Sequence, residues 1–221
     1  MILAGGTERR KLDIPREKEL KGRGVHYCIT CDGPLYGGKT IAIVGGGDAS
    51  VKGVNLAAQY AKKIYLIIRG KEIIAEPINR DQLNSLGNKV EILLETEVIE
   101  LNGEKKIEGI KLSKAYNNST TLPVDAVFVE IGALPNTELA KMLGIDFDKR
   151  EYIKVDTMMR TNIHGVFAAG DNVNFFGRFK QAITAAAMGA VAATSAFEDS
   201  KVHRDVCPYH IIPVPELKVK S

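Results

Sequence analysis

Cys28 and Cys31, separated by Ile29 and Thr30 and followed directly by Asp32, are the side chains of this sequence best suited to chemistry. Two thiols at that spacing can close to a disulfide and open again. Such a pair needs one accessible sulfur and a neighbour that manages the proton, and Asp32 is placed to be that neighbour. The same spacing also serves zinc. His26, His203, Cys207 and His210 are further ligand types, and two cysteines with two of these would make a tetrahedral site. The last three lie far along the chain in a weakly patterned tail, so the redox reading leads and no metal is expected. Three cysteines cannot form an even disulfide framework, and in a reducing compartment a bridge at this spacing cycles rather than holding a fold together.

A second cluster is Gly45-Gly46-Gly47-Asp48-Ala49-Ser50. Gly45 permits a tight turn, Gly47 lets backbone approach a pyrophosphate, and Ser50 keeps a helix close to its strand. The N–H groups of Asp48 and Ala49 would open that helix toward the phosphates. Such a match carries weight only between a strand and a helix. After the next strand, an acidic side chain would hold the ribose 2′-hydroxyl of NAD. The segment is instead Ile67-Ile68-Arg69-Gly70-Lys71-Glu72, where Arg69 and Lys71 could meet a 2′-phosphate or be surface charges.

The elements around these residues follow from patterning. Residues 39–44 contain the β-branched run Thr40-Ile41-Ala42-Ile43-Val44, residues 48–62 carry Ala, Val and Leu at helical spacing, and residues 64–68 read as a strand. Strand, glycine turn, helix, strand opens a dinucleotide-binding unit. Residues 78–88 read as a helix. Strands are expected at residues 90–94, 97–101, 107–112 and 124–131, with hairpin turns at Asn102-Gly103 and Asn117-Asn118-Ser119, which makes a strand meander inserted in an α/β unit. At the start, residues 1–4 read as the end of a buried strand. Residues 7–23 form a charged segment in which Pro15 breaks any helix. Residues 132–136 form a candidate hinge. A short helix (138–143), an extended stretch (152–156), an apolar strand (165–169) closed by Gly170-Asp171, and an alanine-rich helix (181–198) complete the pattern. No repeat of solenoid period is present.

A chain of 221 residues with 45% hydrophobic and 26% charged residues has the composition of an ordinary globular protein. Its net charge of +3 is mild and its basic residues are scattered, which gives no case for nucleic-acid binding. The longest apolar stretch, residues 182–196, is interrupted and too short to span a bilayer. No secretory leader pattern opens the chain, so the cytoplasm is the default compartment.

With these motifs in order, the sequence resembles the low-molecular-weight thioredoxin reductases. His26-Tyr27-Cys28-Ile29-Thr30-Cys31-Asp32-Gly33-Pro34 is similar to that family's redox segment, and Val44-Gly45-Gly46-Gly47-Asp48 to the turn that follows it. Gly165-Val166-Phe167-Ala168-Ala169-Gly170-Asp171 resembles its second flavin motif, Lys180-Gln181-Ala182 the Arg-Gln-Ala beyond it, and residues 132–137, beginning at Gly132, the return to the flavin domain. The likeness runs over residues 1–197.

The resemblance implies a Rossmann-like, three-layer ββα fold in the α/β class. A nicotinamide-binding domain (13–131) would be inserted into parts of an FAD-binding domain (1–12 and 132–221). It implies that Cys31 exchanges electrons with FAD, that Cys28 attacks the disulfide of a thioredoxin-like partner, and that Asp32 shuttles the proton. Asp171 would hold the ribityl chain, with Gln181 and Ala182 near the flavin ring. The two domains would rotate so that dithiol and nicotinamide take turns at the flavin. The family's first glycine-rich turn, which holds the adenosine half of FAD, has no counterpart in the sequence, so weak FAD binding by this chain alone is expected. The family's NADPH users carry His-Arg-Arg and a further Arg where Ile68-Arg69-Gly70 stands, so NADPH is favoured over NADH by a reduced margin. Two alternatives are a flavoprotein serving a peroxiredoxin system and a dinucleotide-binding module without turnover. A homodimer is expected, because the helix at 181–197 is apolar on nearly every face.

Overall fold

The computed structural model describes residues 1–177 and 179–202. His203, Cys207 and His210, considered above as zinc ligands, lie outside the described residues. Two compact units make up the chain: a central one, Arg9–Ala133, and a flanking one that joins Met1–Glu8 to the residues from Leu134 onward. In chain order the strands are β1 (Ile2–Leu3), β2 (Thr7–Arg9), β3 (Val25–His26), β4 (Thr40–Val44), β5 (Lys63–Ile67), β6 (Val90–Leu93), β7 (Val98–Asn102), β8 (Gly109–Tyr116), β9 (Ser119–Pro123), β10 (Ala126–Val129), β11 (Ala133–Pro135) and β12 (Phe167–Ala168). The helices are α1 (Glu17–Leu20), α2 (Ile29–Asp32), α3 (Asp48–Ala57), α4 (Pro77–Asn84), α5 (Glu138–Met142) and α6 (Ala182–Val202), with a 3-10 turn at Gly33–Tyr36.

The central unit is built on a five-stranded parallel sheet in the order β3-β10-β4-β5-β6. Alternation along β4 decides its layers. Ile41 and Ile43 join Val51, Val54 and Ala57 of α3, Leu83 of α4 and Ile29 of α2 on one face. Ala42 and Val44 join Leu101, Ile110, Leu112 and Leu122 on the other, under the antiparallel meander β7-β8-β9. Meander, sheet and helices make a three-layer ββα sandwich. Each wholly buried Ile or Leu in these layers contributes about 1.5–3 kcal/mol by leaving water.

Several elements differ from the pattern reading. Helix α3 ends at Ala57, short of residue 62, because the chain must turn into β5: the Tyr60 carbonyl accepts from Gly38 N, and Lys62 N donates to the Lys39 carbonyl. Pro15 ends no helix but precedes α1, which starts after Arg16 in the left-handed region at φ 70°. Strand β9 was not expected. It pairs with β8 through a turn in which Asn117 and Asn118 both have positive φ, the geometry of a tight hairpin. In the stretch at 152–156, only Ile153 makes ladder bridges, to Phe147 and Val173.

In the flanking unit, β1 pairs in parallel with β12, and Leu3, Phe167, Ala168, Val173, Met188 and Ala192 form the core. Along α6, Met188, Ala192 and Ser195 are buried, while Ile183, Ala190 and Phe197 are exposed.

A close backbone approach in the central unit occurs at Gly45, where β4 gives way to α3. Its φ is 145°, and a Cβ there would lie 2.3 Å from the Glu130 carbonyl oxygen and 3.1 Å from Ser50 Cβ. Gly45→Ala combines a strained φ with a backbone overlap, and its expected cost is on the order of 2–4 kcal/mol. The check is the urea midpoint of unfolding. A midpoint unchanged from wild type would contradict this account of the turn.

Candidate active site

The carboxyl ends of neighbouring strands in the central sheet deliver the candidate residues to one edge. Beyond β3 come Tyr27 and Cys28, beyond β10 comes Glu130, beyond β4 comes Gly45, and beyond β5 come Arg69 and Lys71. β4 lies between β10 and β5, the two strands from which the order runs outward in opposite senses. A crevice at such a switch point is where open α/β sheets bind ligands.

Cys28 and Cys31 are joined in a disulfide. Cys28 caps α2, and its sulfur accepts from Cys31 N at 3.2 Å. Ile29 of this helix is buried and faces Gly53 of α3, where a Cβ would come within 3.0 Å of the Ile29 Cγ2. The redox helix is thereby seated on the helix that follows the glycine turn. Asp32 is partly exposed, and its Oδ2 lies 3.0 Å from His26 Nδ1.

At the glycine turn, Gly47 caps α3 with no side-chain hydrogen bond, and a Cβ there would meet nothing within 4 Å. The first-turn N–H groups are thus left without a side-chain cap, next to open space. Gly46 is crowded: a Cβ would meet Ile68 Cγ2 at 2.7 Å, and its carbonyl accepts from Ile74 N at 2.8 Å. Ser50 is buried and its hydroxyl donates to the Gly47 carbonyl at 2.7 Å. Burial alone would push the Asp48 carboxyl up, but hydrogen bonds from Lys52, Asn79 and Glu76 N hold it below the usual range. Ala49 lies in the first turn of α3. Arg69, Gly70 and Lys71 form an exposed bend, and Ile74 beside them is exposed as well. The uncapped helix start with room at Gly47 fits a pyrophosphate.

The remaining candidates fall on the flanking unit, except Gly132, which lies next to the end of the central one with φ 97°. Gly170 follows β12 with φ 94°. Asp171 Oδ1 and Asn172 Oδ1 are buried with no hydrogen-bond partner among the described residues. Two orphaned acceptors side by side fit a ligand that brings hydroxyl donors, as the ribityl chain of FAD does. Burial pushes the Lys180 amine down, against the opposing pull of Asp171. Its Nζ donates to the Val173 carbonyl and lies 4.5 Å from the Tyr152 ring centre. Gln181 and Ala182 are exposed at the start of α6, where Gln181 N donates to Thr184 Oγ1.

Comparison with known proteins decides the family. A family model described as pyridine nucleotide-disulphide oxidoreductase matches residues 1–189. The chain belongs to that family. Thioredoxin reductase of Streptomyces coelicolor is 37% identical over 198 residues, which is 89% of this chain and 60% of that protein. The F component of alkyl hydroperoxide reductase from Staphylococcus aureus is 36% identical over 203 residues, 90% of this chain and 38% of the relative. The crystal structure of Lactococcus lactis thioredoxin reductase matches with a TM-score of 0.78 at 30% identity, covering 91% of this chain and 66% of that one. The chain spans about 60% of the length of the curated thioredoxin reductases it matches.

Two carboxylates of the site escaped the sequence reading. Glu17 is buried and accepts from Leu12 N, Asp13 N and the Tyr27 hydroxyl, which pins the strand leading to Cys28. Glu130 has a side chain only 5% exposed and accepts from Arg9 Nη1 and Ile29 N, each at 3.4 Å. No spacing rule marks either one. Burial pushes the Glu130 carboxyl above its ordinary value, against the pull of Arg9 and the Ile29 N–H. A group raised in this way stabilises the fold fully below the ordinary value of 4.5, and that contribution is lost as pH rises through the raised one. Wild type should therefore lose stability relative to Glu130→Gln as pH climbs from 4.5. Urea unfolding of both chains across that window tests it, and parallel pH profiles would refute it.

Proposed function

We propose that this chain carries the dithiol and nicotinamide-binding part of a thioredoxin-disulfide reductase, an NAD(P)H-dependent flavoprotein of the cytoplasm. The observation that carries this reading is the Cys28–Cys31 disulfide, seated through Ile29 on the helix of a dinucleotide-type glycine turn. FAD, when bound, supplies the two electrons that open the disulfide. Cys31 faces that exchange, Cys28 attacks the disulfide of a thioredoxin-like protein, and Asp32 carries the proton. Asp171 and Asn172 hold hydroxyls of the flavin's sugar chain, while Gln181 and Ala182 lie toward its ring. Gly45, Gly46, Gly47 and the start of α3 hold the nicotinamide dinucleotide. NADPH is the donor that Arg69 favours, and NADH is the alternative. The complete protein is a homodimer with α6 at the contact, since Ile183, Ala190 and Phe197 leave its outer face uncovered.

A second reading, a flavoprotein reductase in a peroxiredoxin system, is favoured by the 36% identity to the S. aureus alkyl hydroperoxide reductase component. Both readings need a disulfide that cycles. Thiol labelling before and after dithiothreitol should differ by two cysteines, mapped to positions 28 and 31. Equal labelling in the two states would sink both.

The donor can be tested separately. One charge-assisted phosphate contact contributes about 1.5–3 kcal/mol, which corresponds to roughly ten- to hundredfold discrimination. Calorimetric titration should show NADPH binding tighter than NADH by that margin, and Arg69→Ala should remove most of the difference. A wild type that prefers NADH would overturn the assignment of Arg69.

A further inference from the structure

Asp32 is held from behind. Its Oδ2 lies 3.0 Å from Nδ1 of His26, whose side chain is only 8% exposed, and the other ring nitrogen of His26 is 2.8 Å from the Tyr36 hydroxyl. The imidazole stacks on Phe128 with ring centres 5.3 Å apart. Tyr36 closes edge-on against both rings, at 5.4 Å from His26 and 5.7 Å from Phe128. Three mutually packed rings leave the imidazole no freedom to turn, so the line Tyr36–His26–Asp32 is built into the core of the central unit.

We propose that His26 is a positioning residue for proton transfer at the dithiol, and that Tyr36 fixes the tautomer in which it acts. The inference rests on the redox reading above. A carboxylate oxygen only accepts, so the hydrogen of the neutral imidazole sits on Nδ1 and is donated to Oδ2. Nε2 is then an acceptor and takes the Tyr36 hydroxyl hydrogen. Burial, together with the charges of Asp32 and Asp125, pushes the Tyr36 phenol up and keeps it a donor. Asp32 and Tyr36 are the titratable groups on the two nitrogens of the imidazole, with Glu130 just past the end of β10, two residues beyond Phe128.

With Oδ2 occupied by the imidazole, a proton on Asp32 is carried by Oδ1. When the reduced dithiol attacks a substrate disulfide, the substrate S–S bond breaks and the Cys28–Cys31 bond forms. The dithiol is oxidised by two electrons and the substrate is reduced by two. Cys28 attacks as a thiolate, and the first departing thiolate takes the Oδ1 proton. Asp32 then takes the proton of the Cys31 thiol as Cys31 attacks Cys28 Sγ and closes the bridge, and the second departing thiolate is protonated from solvent. His26 keeps its hydrogen throughout, so the arrangement is ready for the next turn without resetting.

A pair of disulfide reagents separates this role from a structural one. The thiolate leaving hydroxyethyl disulfide needs a proton, whereas the thionitrobenzoate leaving 5,5′-dithiobis(2-nitrobenzoate) is stable as an anion. The full chain, reduced with dithiothreitol and desalted, is mixed with each reagent, and closure of the Cys28–Cys31 bridge is followed by peptide mass mapping. His26→Leu and Tyr36→Phe should slow closure by hydroxyethyl disulfide roughly tenfold, part of the ~10²–10⁴ that general acid catalysis contributes, and closure by the aromatic reagent by less than about twofold. His26→Gln, which keeps an N–H for Oδ2, should recover part of the loss. Slowing both reagents equally, or neither, would overturn the proposal. A wild-type dithiol that closes with neither reagent overturns the redox reading itself, and the positioning role with it.

Discussion

The close passage of the turn after β4 across the end of β10 is the constraint on which the rest of this site depends. At Gly45 the backbone lies against the Glu130 carbonyl, in a conformation that a side chain would strain. That contact lets α3 start immediately at the sheet edge. Because α3 starts there, Gly53 is within reach of Ile29, and the short redox helix has a firm surface to sit on. A turn one side chain wider would lift α3, and the dithiol would lose its seat as the phosphate-binding start lost its position. Two chemistries are thus set by one backbone approach.

Around that contact the unit buries polar side chains where an apolar core would be cheaper. Glu17, Glu130 and His26 are all nearly inaccessible, yet each is met by specific partners. A buried carboxylate is tolerated only when its oxygens are filled, and each of these is filled by groups flanking the cysteines or the chain entering them. These side chains define the place of a four-residue helix that could not hold itself by helix propensity. The same logic in the flanking unit runs the other way. Asp171 and Asn172 keep acceptors buried without protein partners among the described residues, which is costly unless a ligand's donors meet them.

The strand–turn–helix–strand opening was legible because Ile41, Ala42, Ile43 and Val44 are apolar on both faces, as a strand between two layers must be, and because three glycines interrupt them before a helical pattern. The dithiol was legible from spacing, and the meander from its turn residues. Strand β9 was not, because Ser119, Thr120 and Thr121 are exposed and only Leu122 is buried, so an edge strand leaves no alternation to read. Glu130 stands in Val-Glu-Ile, where a charged residue reads as a solvent position. Its burial follows from which strand lies beside it, and that is known only once the sheet is assembled. The partnership of His26 with Asp32 and Tyr36 spans a strand end, a helix and a 3-10 turn. No periodicity relates those three positions.

The pairing of β1 with β12 sets the order in which this chain can reach its native state. Ile2 finds Phe167 only after the whole of the central unit lies between them. Closing so long a loop in an unfolded chain carries a large entropic penalty and slows folding. Once the central unit has formed, its own first and last strands bring Arg9 and Ala133 to the same place, where β2 pairs with β11 and Arg10 N donates to the Gly132 carbonyl. The effective loop then shrinks to residues 3–8 on one side and 134–166 on the other. During synthesis β1 must wait for β12, which is made only after the whole of the central unit. The insert acts as a template that assembles early and draws together the ends of the unit that encloses it.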